Sequence, residues 1–116
     1  MILVANRITV APEHAAAFEA MLESRASLVD GMAGFLGIQL LRPTKPGEPY
    51  LTQTFWASRD DFEAWLRSEA FVRGHAHMEE LPKGTFTHPS QVEIHEVFRT
   101  SRGLADSGDA DTADVR

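Results

Sequence analysis

Four short apolar runs of strand character are spaced so that only the middle pair can be joined by a tight turn. This spacing restricts the folds open to the chain. Residues 2–10, 34–41, 50–56 and 92–99 combine β-branched, aromatic and other apolar residues in a strand-like pattern. Between the second and third runs lie Arg42-Pro43 and then Thr44-Lys45-Pro46-Gly47-Glu48-Pro49, whose Pro-Gly centre is turn chemistry. Those two runs make a hairpin. The other connections are long enough to hold helices.

The first long connection starts with Pro12 at a helix N1 position and Glu13 in the first turn. A helix is predicted from there to about Asp30, with Gly31 as its stop. Phe18, Leu22 and Val29 form its apolar stripe. The second helix starts after Ser58, an N-cap with Asp61 three residues on. It carries Phe62, Trp65 and Leu66 inward, has a restart signal at Ser68-Glu69, and runs to about Glu80. Residues 82–89 read as a loop. The order β-α-β-β-α-β is the ferredoxin-like split βαβ arrangement, an α+β fold with four antiparallel strands and two helices on one face.

Helices on one face leave the other bare. In the second strand Leu36, Ile38 and Leu40 oppose Phe35 and Leu41; in the third, Leu51 and Phe55 oppose Tyr50 and Trp56. Apolar residues on both sides call for a cover, and a second copy of the chain supplies one. The expectation is a homodimer, closing a dimeric α+β barrel.

At 116 residues the chain is sized for one domain, assigned to residues 1–99. Residues 100–116 carry four Asp against Arg102 and Arg116 with almost no large apolar residue, and are expected to be a disordered acidic tail. The whole chain has a net charge of -6 and no basic stripe, which argues against nucleic acid as a partner. No apolar run approaches the roughly 18 residues of a membrane span. The N-terminus opens directly on a strand-like run and does not read as a signal peptide. With no cysteine, disulfides, thiolate nucleophiles and iron–sulfur ligation are excluded. These features together favour the cytoplasm.

Four positions do not fit a bland core. Asn6 shares the apolar face of the first strand with Ile2, Val4, Ile8 and Val10. It is either a satisfied structural amide or a ligand contact, because an unpaired buried amide costs about 1–3 kcal/mol. Arg25 lies about 20° round the helix from Phe18, in the middle of the apolar stripe. It either snorkels to water or aims a cation into a pocket. Trp65 is core or pocket wall. His75 and His77 point about 200° apart on a helix and cannot share one metal ion. His75, three and four residues after Val72 and Phe71, suits the inner face, as a core residue or as an iron ligand. His14, His88 and His95 read as surface or loop residues, with His95 a possible dimer contact. No Gly-rich phosphate loop, H-E-x-x-H or G-x-S-x-G is present.

Three stretches carry a resemblance. Ala5-Asn6-Arg7-Ile8-Thr9-Val10 is the first. The second is Gly34-Phe35-Leu36-Gly37-Ile38-Gln39-Leu40-Leu41-Arg42-Pro43. The third is Phe62-Glu63-Ala64-Trp65-Leu66-Arg67-Ser68-Glu69-Ala70-Phe71, followed by His75-Ala76-His77. They are similar to the IsdG-type heme-degrading monooxygenases of the antibiotic biosynthesis monooxygenase superfamily, over about residues 2–99. The resemblance implies a homodimer with one heme per subunit, heme being both cofactor and substrate. It implies that His75 is the axial iron ligand, that Asn6 is the distal amide, and that Trp65 presses the porphyrin out of plane. Phe71 would line the heme, and Arg25 occupies a position that meets a heme propionate in some members. It further implies O2 as oxidant, an external electron donor such as a reductase, and release of the iron after ring opening. Alternatives are a cofactor-free monooxygenase acting on an aromatic or quinol substrate, a non-catalytic heme-binding protein, and a dimerisation module without a ligand.

Overall fold

The computed structural model describes residues 1–102. The expected acidic tail lies, from residue 103 on, outside the described residues. Strands β1 (Ile2–Ile8), β2 (Phe35–Leu41), β3 (Tyr50–Trp56) and β4 (Gln91–Glu96) form one antiparallel sheet in the order β2-β3-β1-β4. Helices α1 (Ala15–Ala26), α2 (Arg59–Leu66) and α3 (Glu69–Glu79) complete the described elements, apart from two short 3-10 turns. The topology is the ferredoxin-like α+β arrangement expected from the element order.

Several boundaries differ from the sequence expectation, each for a local reason. Pro12 opens a 3-10 turn (Pro12–His14), and the α-helix starts only at Ala15. The same helix ends at Ala26 and tightens into a second 3-10 turn, Ser27–Val29. β1 stops at Ile8, and Val10 pairs only in an isolated bridge with Phe86. There the Ala11 N–H donates to the Thr85 carbonyl at 2.8 Å and the Thr87 N–H to the Thr9 carbonyl at 3.2 Å. The last strand is Gln91–Glu96 rather than 92–99.

The second helix is two helices. Ser58 caps α2 as expected, its Oγ accepting the Asp61 N–H at 3.1 Å. At the restart signal Ser68 works in both directions. Its Oγ accepts the Phe71 N–H at 3.1 Å and donates to the Trp65 carbonyl at 2.7 Å. One side chain thus ends α2 and starts α3.

Cross-strand register sets the two sheet faces. Val4 pairs Thr54 and Ile94; Asn6 pairs Thr52 and Val92; Ile8 pairs Tyr50. These rows face the helices. β2 is bulged between Phe35 and Gly37, which moves Phe35 to the helix side. It meets Trp56 there, ring centroids 5.4 Å apart, while Leu36 is left exposed. Leu36 therefore does not share a face with Ile38 and Leu40, contrary to simple alternation. On the bare face, Leu41, Leu51, Leu3 and Phe55 flank a polar row of Gln39, Gln53 and Glu93.

The core beneath the helices is divided. One cluster holds Ile8, Val10, Phe18, Met21, Leu22 and Tyr50; the other holds Val4, Val29, Trp56 and Phe62. On β1 the division falls at Asn6, between Val4 and Ile8. Outside the first cluster, Glu19 fastens α1 to the sheet. Its Oε2 accepts from the Tyr50 hydroxyl at 2.6 Å and from Arg42 Nε at 2.7 Å, and Oε1 accepts from Arg42 Nη2 at 2.6 Å. The Arg42 and Tyr50 hydrogen bonds hold the Glu19 carboxyl down from 4.5 to about 2. Burial and the Glu19 carboxylate push the Tyr50 phenol up to about 12.

Candidate functional site

Between the two core clusters lies an apolar cavity of about 490 Å³. That is within the roughly 300–1,000 Å³ of small-ligand sites. The sheet supplies its floor through Val4, Asn6, Ile38, Thr52 and Ile94, and the helices supply its walls through Arg25, Phe62, Trp65, Phe71 and His75. All five residues singled out from the sequence line this one space: Asn6 from β1, Arg25 from the last turn of α1, Trp65 from α2, and Phe71 and His75 from α3.

Three of the five bring unpaired polar groups. Asn6 Oδ1 is buried and has no hydrogen-bond partner among the described residues. A buried amide oxygen normally has a partner, so this one marks a place where a ligand or a water can bond. The Arg25 guanidinium is half-buried, and no hydrogen bond or ion pair holds it among the described residues. Burial pushes its pKa down from the ordinary value, because the cation is partly withdrawn from water. The His75 imidazole touches the Phe71 ring, centroids 4.5 Å apart, and makes no hydrogen bond among the described residues.

His75 is exposed rather than buried, because the cavity it lines is open. Its neighbour Val72 faces outward at 64% exposure, so the inner face of α3 runs through Phe71, His75 and Met78 and not through Val72. His77 is half-buried in a separate shallow groove with Met21, Ser24 and Leu81. It does not point simply to solvent, but the two histidines do diverge as the helical angle requires. His88 bonds Thr87 in a loop, and His95 meets Glu93 at 3.4 Å on the bare sheet face. Among the described residues no group of three or more His, Asp or Glu could hold a metal ion.

A line of rings leads from the core to the histidine. Trp56, fully buried, stacks on Trp65 at 6.4 Å; Trp65 meets Phe71 edge-on at 5.5 Å; Phe71 meets His75. Trp65 is thus both core and cavity wall. Sequence reasoning missed the floor threonines. Thr54 is committed as acceptor to Trp56 Nε1 at 3.0 Å, and Thr52 stands across from Asn6. Strand pairing was the signal for them, and it required the register. Gly74 was also missed, although a glycine inside a helix is itself a signal.

The fold and the cavity define a small α+β protein with a ligand-sized site under its helices. The profile of the antibiotic biosynthesis monooxygenase family matches residues 1–77, and the chain belongs to that family. It is similar to the mycobilin-producing heme oxygenase of Mycobacterium tuberculosis, with 36% identity over 89 residues, 77% of this chain and 84% of that one. The staphylobilin-producing heme oxygenase of Staphylococcus haemolyticus is 31% identical over 77 residues, 65% of this chain and 73% of that one. Among solved structures, the heme-degrader MhuD of Mycobacterium tuberculosis, with two hemes bound in its active site, superposes with a TM-score of 0.71. It is 30% identical and covers 88% of this chain and 100% of that one. SnoaB, a cofactor-independent oxygenase from Streptomyces nogalater, superposes at 0.68 with 24% identity over 85% of this chain and 94% of that one, a likeness of fold alone.

Proposed function

We propose that this protein is a heme-degrading monooxygenase that takes heme as its substrate, opens the porphyrin ring with O2 and electrons from an external donor, and releases the iron. The observation that carries the proposal is the convergence of three unpartnered polar groups on one apolar cavity. Heme is an apolar plate with a metal at its centre and two carboxylates at its edge. It needs apolar walls, a nitrogen ligand, a polar group on the opposite side and a cation. Asn6, Arg25 and His75 supply the polar complement, and no group among the described residues answers them.

In this reading His75 would hold the heme iron through an imidazole nitrogen. Asn6 would offer its amide, on the sheet floor, as a hydrogen-bonding group. Trp65 and Phe71 would be the aromatic walls against such a plate, with Trp65 backed by the fully buried Trp56. Arg25 meets a propionate. The iron of the bound heme supplies the oxygen activation, and the protein orients the ring, excludes bulk water and fixes which edge is exposed to oxidation. We further propose that two copies pack through their bare sheet faces, with Leu3, Leu51 and Phe55 at the contact.

The test is a hemin titration of purified protein, followed by ascorbate and O2 in the presence of catalase. Expected are a saturable Soret band, its bleaching under turnover, and chelatable iron in solution. His75→Ala should shift or abolish the band while leaving the fold intact by circular dichroism. Saturable binding without bleaching, even with alternative reductants, would make the protein a heme carrier. Absence of saturable binding, with turnover of an aromatic substrate, would place it with the cofactor-independent oxygenases.

A further inference from the structure

Helix α3 has one glycine, Gly74, in the middle of its eleven residues and immediately before His75. A glycine inside a helix costs roughly 0.8–1.0 kcal/mol relative to alanine. Its position here is buried, and what lies against it is the Arg25 side chain from α1. A Cβ placed on Gly74 would stand 3.1 Å from Arg25 Nε, 3.4 Å from Nη2 and 3.5 Å from Cζ. The guanidinium therefore rests directly on the helix at the point where a side chain is missing. Any other residue would push it away. Because Arg25 is not held by a hydrogen bond or an ion pair among the described residues, packing against α3 is what locates it.

We infer that Gly74 is a positioning residue for the cation of the cavity: its missing side chain makes the seat in which the Arg25 guanidinium lies, and so sets where a carboxylate of the ligand is received. The inference rests on the heme reading above and adds to it a determinant of substrate recognition that touches no substrate atom. It also sets two physical quantities against each other. Gly74→Ala improves helix propensity and removes chain entropy from the unfolded state, so the ligand-free protein gains stability or keeps it. The same substitution displaces the guanidinium by a few tenths of an ångström, which weakens a charge-assisted hydrogen bond whose strength depends on short distance and alignment.

The test compares hemin with hemin dimethyl ester, which keeps the plate and the iron but lacks both carboxylates. Each is titrated by its Soret band into wild type, Gly74→Ala, Arg25→Ala and the double variant, with thermal unfolding of each ligand-free protein alongside. Wild type should prefer the diacid, and Gly74→Ala should lower that preference about fivefold. Ester affinity should stay within about twofold, and the melting temperature should not fall. In the Arg25→Ala background, Gly74→Ala should change nothing further. A Gly74→Ala variant that keeps the wild-type diacid preference overturns the inference while leaving the heme reading standing. So does one that loses diacid and ester affinity equally, or one whose cost persists without Arg25. A wild type that binds neither compound overturns both.

Discussion

Asn6 sets a cost in stability against its proposed role in the cavity. Its Oδ1 is buried between two apolar clusters without a partner among the described residues, where an unsatisfied amide costs about 1–3 kcal/mol. Asn6→Val should therefore stabilise the ligand-free protein by about 1–2 kcal/mol, read as a raised melting temperature, and should impair turnover of bound heme. A drop in melting temperature would mean that the amide is satisfied in solution. Glu19 is the opposite case, a carboxylate over-provided with donors. Its folded value of about 2 lies below the ordinary 4.5, so its contribution is complete above pH 4.5 and is lost as pH falls toward 2. Glu19→Gln should lower stability at neutral pH and flatten the acid limb of a melting-temperature profile between those two values. Tyr50 adds an alkaline limb: its value is raised to about 12, so its contribution is complete below pH 10 and is lost between 10 and 12.

The joint between α2 and α3 is the element on which the site depends most. A single continuous helix from Arg59 to Glu79 would carry Trp65 and His75 on one straight axis. Ser68 breaks it, capping α3 and closing the end of α2, and the break lets both residues line the same cavity. Ser68→Ala removes the cap and should cost about 1 kcal/mol of stability, measurable in urea unfolding. Loss of hemin affinity beyond that shared with a control cap change, Ser58→Ala on α2, would separate the joint's positioning role from its stability. The turn leading into β2 is fixed in a different way. Gly34 adopts φ +79°, and a Cβ there would collide with the Asp61 carboxylate. Its carbonyl accepts the Ala57 N–H at 2.8 Å. Side-chain-free backbone thus lets the capping end of α2 sit close to the start of β2.

For the molecule as a whole, the sheet is covered on the side that holds the cavity and bare on the other. Leu3, Leu41, Leu51 and Phe55 lie on the bare side with Arg7, Glu93 and His95, where Glu93 accepts from Arg7 at 3.3 Å and meets His95 at 3.4 Å. This mixture suits a specific self-contact better than a featureless apolar one: the leucines and Phe55 supply area, and the polar row fixes register. Phe55→Asp is expected to convert the proposed homodimer to monomer in sedimentation velocity. A wild type already monomeric at micromolar concentration would refute the self-contact.

The order of elements along the chain, the turn between β2 and β3, the Ser58 cap and the restart at Ser68 were all legible in the chain, because each rests on near-neighbour chemistry: alternation, proline and glycine geometry, and side chains bonding backbone three residues away. The same is true of Asn6, Arg25 and His75 as oddities, since a polar residue on an apolar face can be recognised by its period alone; Phe71 entered only through the family resemblance. The sequence could not show that these oddities share one cavity. It did not reveal that Glu19 bonds Arg42 and Tyr50, that a bulge turns Leu36 outward, or that Gly74 seats Arg25. Those facts depend on contacts between segments far apart in the chain, which periodicity does not encode. The residues available for the site were determined by the sequence; the tertiary structure decided which polar atoms lost their water without gaining a partner, because only packing between distant elements removes solvent.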